Sequence, residues 1–149
     1  MVAIHTDSNS SREWCRREVI EARLWKVPLV VADCISNLDD RSFPYSGNVP
    51  VIRLDDRQEE RIDFVVDLLI DEVLKDFLWR CQVELHRPAV SDGVMFMPRL
   101  PELISLANLP EGVEGTDGMI VYPGPPLSRE EQGLFDKVAP RVRLRSLIE

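Results

Sequence analysis

The amino-acid sequence predicts an α/β protein with a mostly parallel sheet covered by helices on both faces. Short apolar runs alternate with segments whose apolar residues recur every three or four positions. Residues 27–34 form a nearly continuous apolar run, as expected of a strand buried on both faces of a sheet. We therefore expect a single α/β domain over residues 1–149, arranged as a flavodoxin-like three-layer sandwich.

The order of elements follows from these runs. Strands are expected at residues 2–4, 27–34, 49–54, 93–97, 118–122 and 142–146, and helices at residues 10–25, 55–80, 101–106 and 128–138. Ser128 and Glu131 have the spacing of a capping box, which fixes the start of the last helix. Residues 142–146 alternate apolar and polar side chains and predict an edge strand with one wet face.

The first helix contains a conflict between its pattern and one of its residues. Ser10 and Glu13 fit a capping box at its start. At 100° per residue, five residues share one broad sector that we expect to face the core: Trp14, Cys15, Val19, Ala22 and Trp25. Glu18 falls in the middle of that sector, and burying an unpaired charge costs several kcal/mol.

Two interpretations of Glu18 remain open. In the structural one, the carboxylate meets a basic partner or helix amides, or lies at the rim of the stripe in water. In the functional one, it lines a pocket at the edge of the core and acts on a substrate.

A family resemblance bears on this choice. Residues 11–18, Ser-Arg-Glu-Trp-Cys-Arg-Arg-Glu, lie between the apolar runs at 2–4 and 27–33 and resemble the Trp-Cys-x-x-Glu segment of TIR (Toll/interleukin-1 receptor) domains. Residues 41–50 strengthen the likeness to bacterial TIR-like proteins. The resemblance assigns residues 1–86 to a TIR-like portion without the first strands of that domain, followed by a C-terminal α/β extension at 90–149.

The resemblance implies an enzymatic activity. In the enzymatic branch of the family, the glutamate of Trp-x-x-x-Glu is the catalytic residue of an NAD+ glycohydrolase, a role that falls here on Glu18. From their proximity to Glu18 at one helix end, and not from the resemblance, we expect Trp14 to support the carboxylate by packing, and Ser10 or Ser11 together with Arg12 to contact polar parts of the nucleotide. NAD+ would be the substrate, with no separate cofactor and no metal.

Two further functions are compatible with the same residues. The chain is alternatively a non-catalytic TIR-like interaction module that self-associates or binds a signalling partner, or a nucleotide sensor that does not cleave its ligand. The resemblance implies a homo-oligomer in either the enzyme or the interaction module. Phe64, Leu68, Leu78 and Trp79 widen the apolar sector of the long helix, which makes that helix a candidate for self-association, although core burial is the favoured explanation.

The net charge and the composition disfavour several classes of partner and site. With 26 acidic and 18 basic residues the formal net charge is -8, which disfavours a nucleic-acid backbone or an anionic membrane. The three cysteines are widely spaced and only two histidines are present, so we expect buried free thiols and no zinc site. Without a signal peptide or a long apolar segment, the expected location is the cytoplasm.

Polar residues that follow the expected strands are candidates for a ligand site. Asp7, Ser8, Asn9 and Ser10 follow the first strand, at the edge where open α/β sheets bind ligands, although such residues are also ordinary turn formers. Asp33 ends the second strand, where an aspartate could bind a metal or accept a phosphoryl group, but no paired acidic residues accompany it.

Overall fold

A computed structural model of the chain describes residues 1–7, 12–36, 47–54, 61–86, 94–109 and 118–148. Its strands are β1 (Val2–His5), β2 (Val30–Asp33), β3 (Val51–Arg53), β4 (Val94–Phe96), β5 (Gly118–Tyr122) and β6 (Val142–Ser146). Its helices are α1 (Glu13–Leu24), α2 (Ile62–His86), α3 (Leu103–Ala107) and α4 (Arg129–Val138). Each strand and helix expected from the sequence is present, with ends shifted by a few residues.

The strands form two parallel sheets of three strands, in the orders β1-β2-β3 and β4-β5-β6. The chain also divides into two compact units, residues Met1–Asp76 and Phe77–Glu149. The division falls within α2. The expected α/β class with parallel strands is therefore confirmed. The described strands form two small sheets, where the sequence pattern predicted one.

The first unit packs helices on both faces of its sheet. Val19 of α1 packs with Leu29, Val31 and Val49. Val30 and Ala32 point to the opposite face and pack with Val65 of α2. Because successive strand residues face opposite sides, burial on both faces explains why residues 27–34 are apolar almost throughout.

The second unit is built in the same way around β5. One face of its sheet packs Val121 against Trp79 and Val83 of α2. The Trp79 and Phe96 rings lie 6.4 Å apart, centroid to centroid. On the other face Ile120, which is fully buried, packs with Met97 and Val142 and is flanked by residues of α3 and the loop that follows it.

Two local predictions at the C-terminal end are confirmed. Ser128 caps α4, and its hydroxyl and the Glu131 carboxylate each accept a hydrogen bond from the other residue's backbone amide. Strand β6 lies at a sheet edge and alternates as expected, because Arg143 and Arg145 are exposed while Val142 and Ser146 are buried.

The start of α1 differs from the prediction. The N-cap residue is Arg12, which provides no side-chain cap, and Glu13 is the first helical residue. Glu13 is therefore not at the third helical position, which a capping box with Ser10 requires. Ser10 itself lies outside the described residues.

No helix in the described part of the chain is both long and apolar enough to cross a membrane.

Candidate functional site

The carboxyl ends of β1, β2 and β3 lie at one edge of the first sheet because the three strands are parallel. In the register of the sheet, His5 is opposite Asp33, and Asp33 is opposite Arg53. The loop after β1 leads from this edge into α1. Ligands of open α/β sheets bind at such an edge, so the polar groups found here form the first part of the candidate site.

A histidine and an aspartate meet at this edge. The Nδ1 atom of His5 lies 3.5 Å from Oδ1 of Asp33, and His5 is only 8% exposed. Asp33 also accepts a hydrogen bond from the backbone amide of Ile35 at 3.3 Å. The pair therefore fixes the ends of β1 and β2 and places an imidazole and a carboxylate in contact.

A second aspartate joins the loops that follow these two strands. Asp7 accepts hydrogen bonds from the Ser36 backbone amide, at 2.9 Å, and from the Ser36 hydroxyl. Asp7 was expected at the rim of a ligand site; the structure shows it at that edge, with both carboxylate oxygens bound to Ser36. The other expected rim residues, Ser8, Asn9 and Ser10, lie outside the described residues.

Cys34 follows Asp33 at the same edge but is not an activated nucleophile. Burial raises the pKa of its thiol, and the negative charge of Asp33 raises the pKa further. The thiolate is the reactive form of cysteine, so a raised pKa disfavours the reactive form of Cys34.

The second part of the candidate site is the outer face of α1. Trp14 is 73% exposed and Trp25 is 78% exposed. Glu18 is exposed as well. The prediction that Trp14, Trp25 and Glu18 share the core-facing sector is therefore wrong.

The error has a physical reason. Val19 and Ala22 alone supply the fully buried positions of α1, with Cys15 partly buried beside them. The contact of α1 with the sheet is therefore narrow. Trp14 and Trp25 lie on a flank of the helix, about 100° around its axis from the buried residues, where they lengthen the apolar pattern without belonging to the core.

On this outer face, four residues follow the spacing i, i+4, i+7 and i+11 and so form one stripe: Trp14, Glu18, Glu21 and Trp25. The Arg17 guanidinium lies 5.7 Å from the centroid of the Trp14 ring. Trp25 donates a hydrogen bond from Nε1 to Glu21 at 3.3 Å. No ion pair involving Glu18 is found within the described residues.

The remaining predicted site residues are placed only in part. Arg12 is exposed at the start of α1, two residues before Trp14. Ser10 and Ser11 lie outside the described residues. The structure therefore places Trp14 and Glu18 on the first half of α1 and Arg12 at its N-cap, and leaves the two serines undescribed.

Asp33 was considered as a metal ligand or phosphoryl acceptor. Among the residues that the structure describes, no three His, Cys, Asp or Glu side chains are grouped so that they could hold a metal ion. The observed partner of Asp33 is His5, a contact that the sequence interpretation missed. The signal was present, since both residues end strands that become parallel neighbours.

The second unit contains a separate apolar cavity of about 380 Å³. It is lined by α3 and by the turn between α4 and β6, and Arg141 is the only charged residue among its lining residues. A wall of this composition can hold an apolar group, but it offers no acid, base or nucleophile for chemistry.

Comparison of the chain with protein-family models, with curated proteins and with solved structures finds no match.

Proposed function

We propose that this chain is a TIR-like protein that cleaves the nicotinamide–ribose bond of NAD+, with Glu18 as the catalytic carboxylate. One observation carries the proposal: Glu18 is exposed on α1, one turn after Trp14, and takes part in no ion pair within the described residues. The ion-pair form of the structural interpretation is not found among the described residues, whereas its other form, a carboxylate in water, agrees equally with the exposed position. Without an ion pair, the carboxylate is available to a ligand.

The position of α1 also supports the proposal. The helix follows β1 and precedes β2, its parallel neighbour, in a β-α-β unit. Glu18 lies about 8 Å along the helix axis from the first helical residue, Glu13, at a rise of about 1.5 Å per residue. A ligand that extends from the carboxyl edge of the sheet over the start of α1 would therefore reach Glu18.

The strand order supports the finer fold assignment. A flavodoxin-like sheet has the order 2-1-3-4-5, in which the last three strands are neighbours in chain order. The order β1-β2-β3 agrees with such a segment. We propose on this basis that the first unit corresponds to the later strands of a TIR-like, flavodoxin-like sheet.

The chemistry asks for a carboxylate beside the ribose. Cleavage of an N-glycosidic bond develops positive charge on the sugar, as in other glycoside cleavages, and a fixed carboxylate stabilises that charge. The Trp14 ring would stack against a flat part of the dinucleotide, and the Arg12 guanidinium would bind a phosphate. Because Glu18 is exposed, the bound dinucleotide itself has to cover it and exclude water.

The cellular setting belongs to the same proposal. Cys15, Cys34 and Cys81 are free thiols, but the expectation that they are buried is wrong, because Cys15 and Cys34 are only partly buried and Cys81 is exposed. Free thiols persist in a reducing compartment, so we propose that the protein is located in the cytoplasm, where NAD+ is also present.

The test measures nicotinamide release from NAD+ by the purified chain, beside Glu18→Gln and Glu21→Gln. Glu21 is the matched control because it is exposed and lies on the same stripe. We expect Glu18→Gln to lower turnover by at least a hundredfold and Glu21→Gln to leave it within a few-fold. Both variants should melt within a degree or two of the wild type, since exposed side chains contribute little to stability.

Two results would contradict the enzyme proposal. One is the absence of nicotinamide release by the wild type at any protein concentration. The other is an equal loss of turnover in both variants, since this would assign the effect to the helix surface and not to Glu18.

The second candidate function is the non-catalytic interaction module. It is favoured by Trp14 and Trp25, two largely exposed tryptophans on one helix stripe. Tryptophan is enriched among the residues that dominate binding energy at protein interfaces. A chain that binds a partner through Trp14 and Trp25 but releases no nicotinamide would establish this function in place of the first.

A further inference from the structure

The long helix α2 has an apolar face that no described part of the chain covers. Its buried positions lie on one side and include Val65, Trp79 and Val83. A second set of large apolar residues, each between 47% and 78% exposed, runs along the rest of the helix: Ile62, Val66, Ile70, Val73, Leu74, Phe77, Leu78 and Leu85. We call these eight residues, together with the exposed Cys81, the outer stripe of α2.

The outer stripe is not ordinary surface. On a helical wheel it centres roughly opposite the buried side, so α2 is apolar on two faces. Of the four residues that widen the apolar sector of the sequence pattern, Phe64 and Leu78 are exposed, whereas Leu68 is partly buried in the first unit and Trp79 is buried in the second. Monomeric proteins rarely expose a contiguous apolar patch larger than a few hundred Å².

The size of the stripe is close to what a stable interface requires. Large apolar residues that are about half exposed present on the order of 600 Å² per chain when eight of them are combined. A standard interface buries roughly 800 Å² per partner. The stripe with its neighbouring side chains is therefore large enough to be the centre of such an interface.

The spacing of the stripe identifies the partner. Its residues pair about a point between Val73 and Leu74: Ile70 mirrors Phe77, Val66 mirrors Cys81, and Ile62 mirrors Leu85. When two copies of a helix cross antiparallel at that point, each of these apolar positions meets an apolar position. Among the charged residues of the same sector, Asp67 meets Arg80, and the like charges of Asp63 and Glu84 meet only near the ends of the stripe. An interface of this kind is self-complementary under a two-fold axis, the commonest symmetry of homodimers.

The packing geometry agrees with this symmetry. The stripe consists of two rows with four-residue spacing, one running from Ile62 to Leu78 and the other from Val73 to Leu85. Rows of this kind interdigitate in the commonest class of helix packing. Apart from Leu78, whose mirror position Leu69 packs on the core of the first unit, the two-fold axis exchanges the two rows, so each row of one helix fits beside the other row of its mate.

We propose that the outer stripe of α2 binds a second copy of this chain, as an antiparallel two-fold pair of α2 helices that cross between Val73 and Leu74. The proposal does not depend on NAD+ cleavage, because it uses no residue of α1. It concerns a surface and a partner, and its test has no enzymatic readout.

The first experiment is the molar mass in solution, by light scattering or sedimentation, over a range of protein concentrations. We expect twice the chain mass of 17.1 kDa at micromolar concentrations. Phe77→Glu should weaken dimerisation by at least a hundredfold, because it places a charge near the centre of the crossing. Leu134→Glu is the matched control, since Leu134 is 62% exposed on α4 and Phe77 is 60% exposed on α2.

The second experiment tests the two-fold crossing by disulfide formation under mild oxidation. Leu74→Cys should give a covalent dimer, because the two copies of position 74 lie across the axis. The wild type should not, since the two copies of Cys81 would be on the order of 20 Å apart at about 1.5 Å per residue. Leu85→Cys, near the end of the same stripe, is the control that should likewise stay uncrosslinked.

Several results would overturn the proposal. A wild-type chain that remains monomeric at high concentration would leave the stripe to a different protein. Ready cross-linking through the native Cys81 would indicate parallel helices. A dimer that survives Phe77→Glu and is lost in Leu134→Glu would place the interface on another helix.

Discussion

The hydroxyl of Ser128 accepts a hydrogen bond from the Glu131 amide at 3.2 Å, and the Glu131 carboxylate accepts one from the Ser128 amide at 2.7 Å. Two amides that no helical carbonyl can reach are satisfied in this way. These hydrogen bonds lower the pKa of Glu131 below its ordinary value, because they favour the charged carboxylate. At this scale, a four-residue sequence pattern was sufficient to predict the contact.

We expect Ser128→Ala to lower the free energy of unfolding by about 1 kcal/mol, the usual cost of removing such a cap. Ser128→Thr should retain most of the stability, because threonine keeps the accepting hydroxyl. Urea unfolding followed by circular dichroism measures both. An equal loss in the two variants would show that the hydroxyl is not what stabilises α4.

The pKa of Glu131 also fixes the sign of a pH effect. A carboxylate whose pKa is lowered by folding contributes stability above its unfolded pKa, and that contribution is lost as the pH falls through the folded pKa. The stability advantage of the wild type over Glu131→Gln should therefore be present at neutral pH and disappear in acid. The same urea titrations, repeated at a series of pH values, check this; an advantage that persists in acid would contradict it.

At the scale of the element, α1 shows that apolar residues on a helix do not all belong to the core. Val19 is 3% exposed and packs on three residues of the first unit, whereas Trp14 is mostly exposed. Removing buried methyl groups leaves a cavity, but removing an exposed side chain leaves none.

We expect Val19→Ala to destabilise the chain by roughly 2 kcal/mol, in line with the loss of buried methyl groups. Trp14→Ala should cost less than about 1 kcal/mol, the most that an exposed cation–π contact with Arg17 usually contributes. Thermal and urea unfolding of both variants provide the measurement. The reverse order of stability would mean that Trp14 packs in the core after all.

The same helix shows how far a sequence pattern reaches. Strand and helix positions follow from local periodicity, and those were predicted nearly throughout. Which side of α1 faces the sheet was not predicted, because Trp14 and Trp25 extend the apolar sector to the outer face and periodicity cannot rank two apolar faces. For the same reason, the pattern did not predict that Leu78 is exposed while its neighbour on α2, Trp79, is buried.

The candidate site was predictable only where it depends on neighbours along the chain. Trp14 and Glu18 lie one turn apart on any helix, so their shared position was foreseen. The contact of His5 with Asp33 joins two strands that are 28 residues apart in the sequence and depends on their parallel pairing. Strand pairing is a long-range property, which also explains why one sheet was expected and two were found.

At the scale of the molecule, the chain contains two separate sets of core contacts. Val30 and Ala32 pack with the first part of α2, whereas Val121 packs with Trp79 and Val83 in its second part. Each unit has its own sheet and its own buried residues. We therefore expect each sheet to respond most strongly to substitutions in its own core.

Tryptophan fluorescence distinguishes the two units because Trp79 is buried in the second unit and is 6% exposed. In a Trp14→Phe, Trp25→Phe background, Trp79 alone reports unfolding. Ile120→Ala removes a fully buried side chain of the second unit and should lower the midpoint of the Trp79 transition strongly, at a cost of roughly 2 to 5 kcal/mol. Val30 is equally buried, but in the first unit. Val30→Ala should therefore lower the midpoint of the circular-dichroism transition, which follows both units, by more than it lowers the midpoint of the Trp79 transition. If both substitutions moved both signals equally, the two units would unfold as one cooperative body, and α2 would transmit the loss of either core through its whole length.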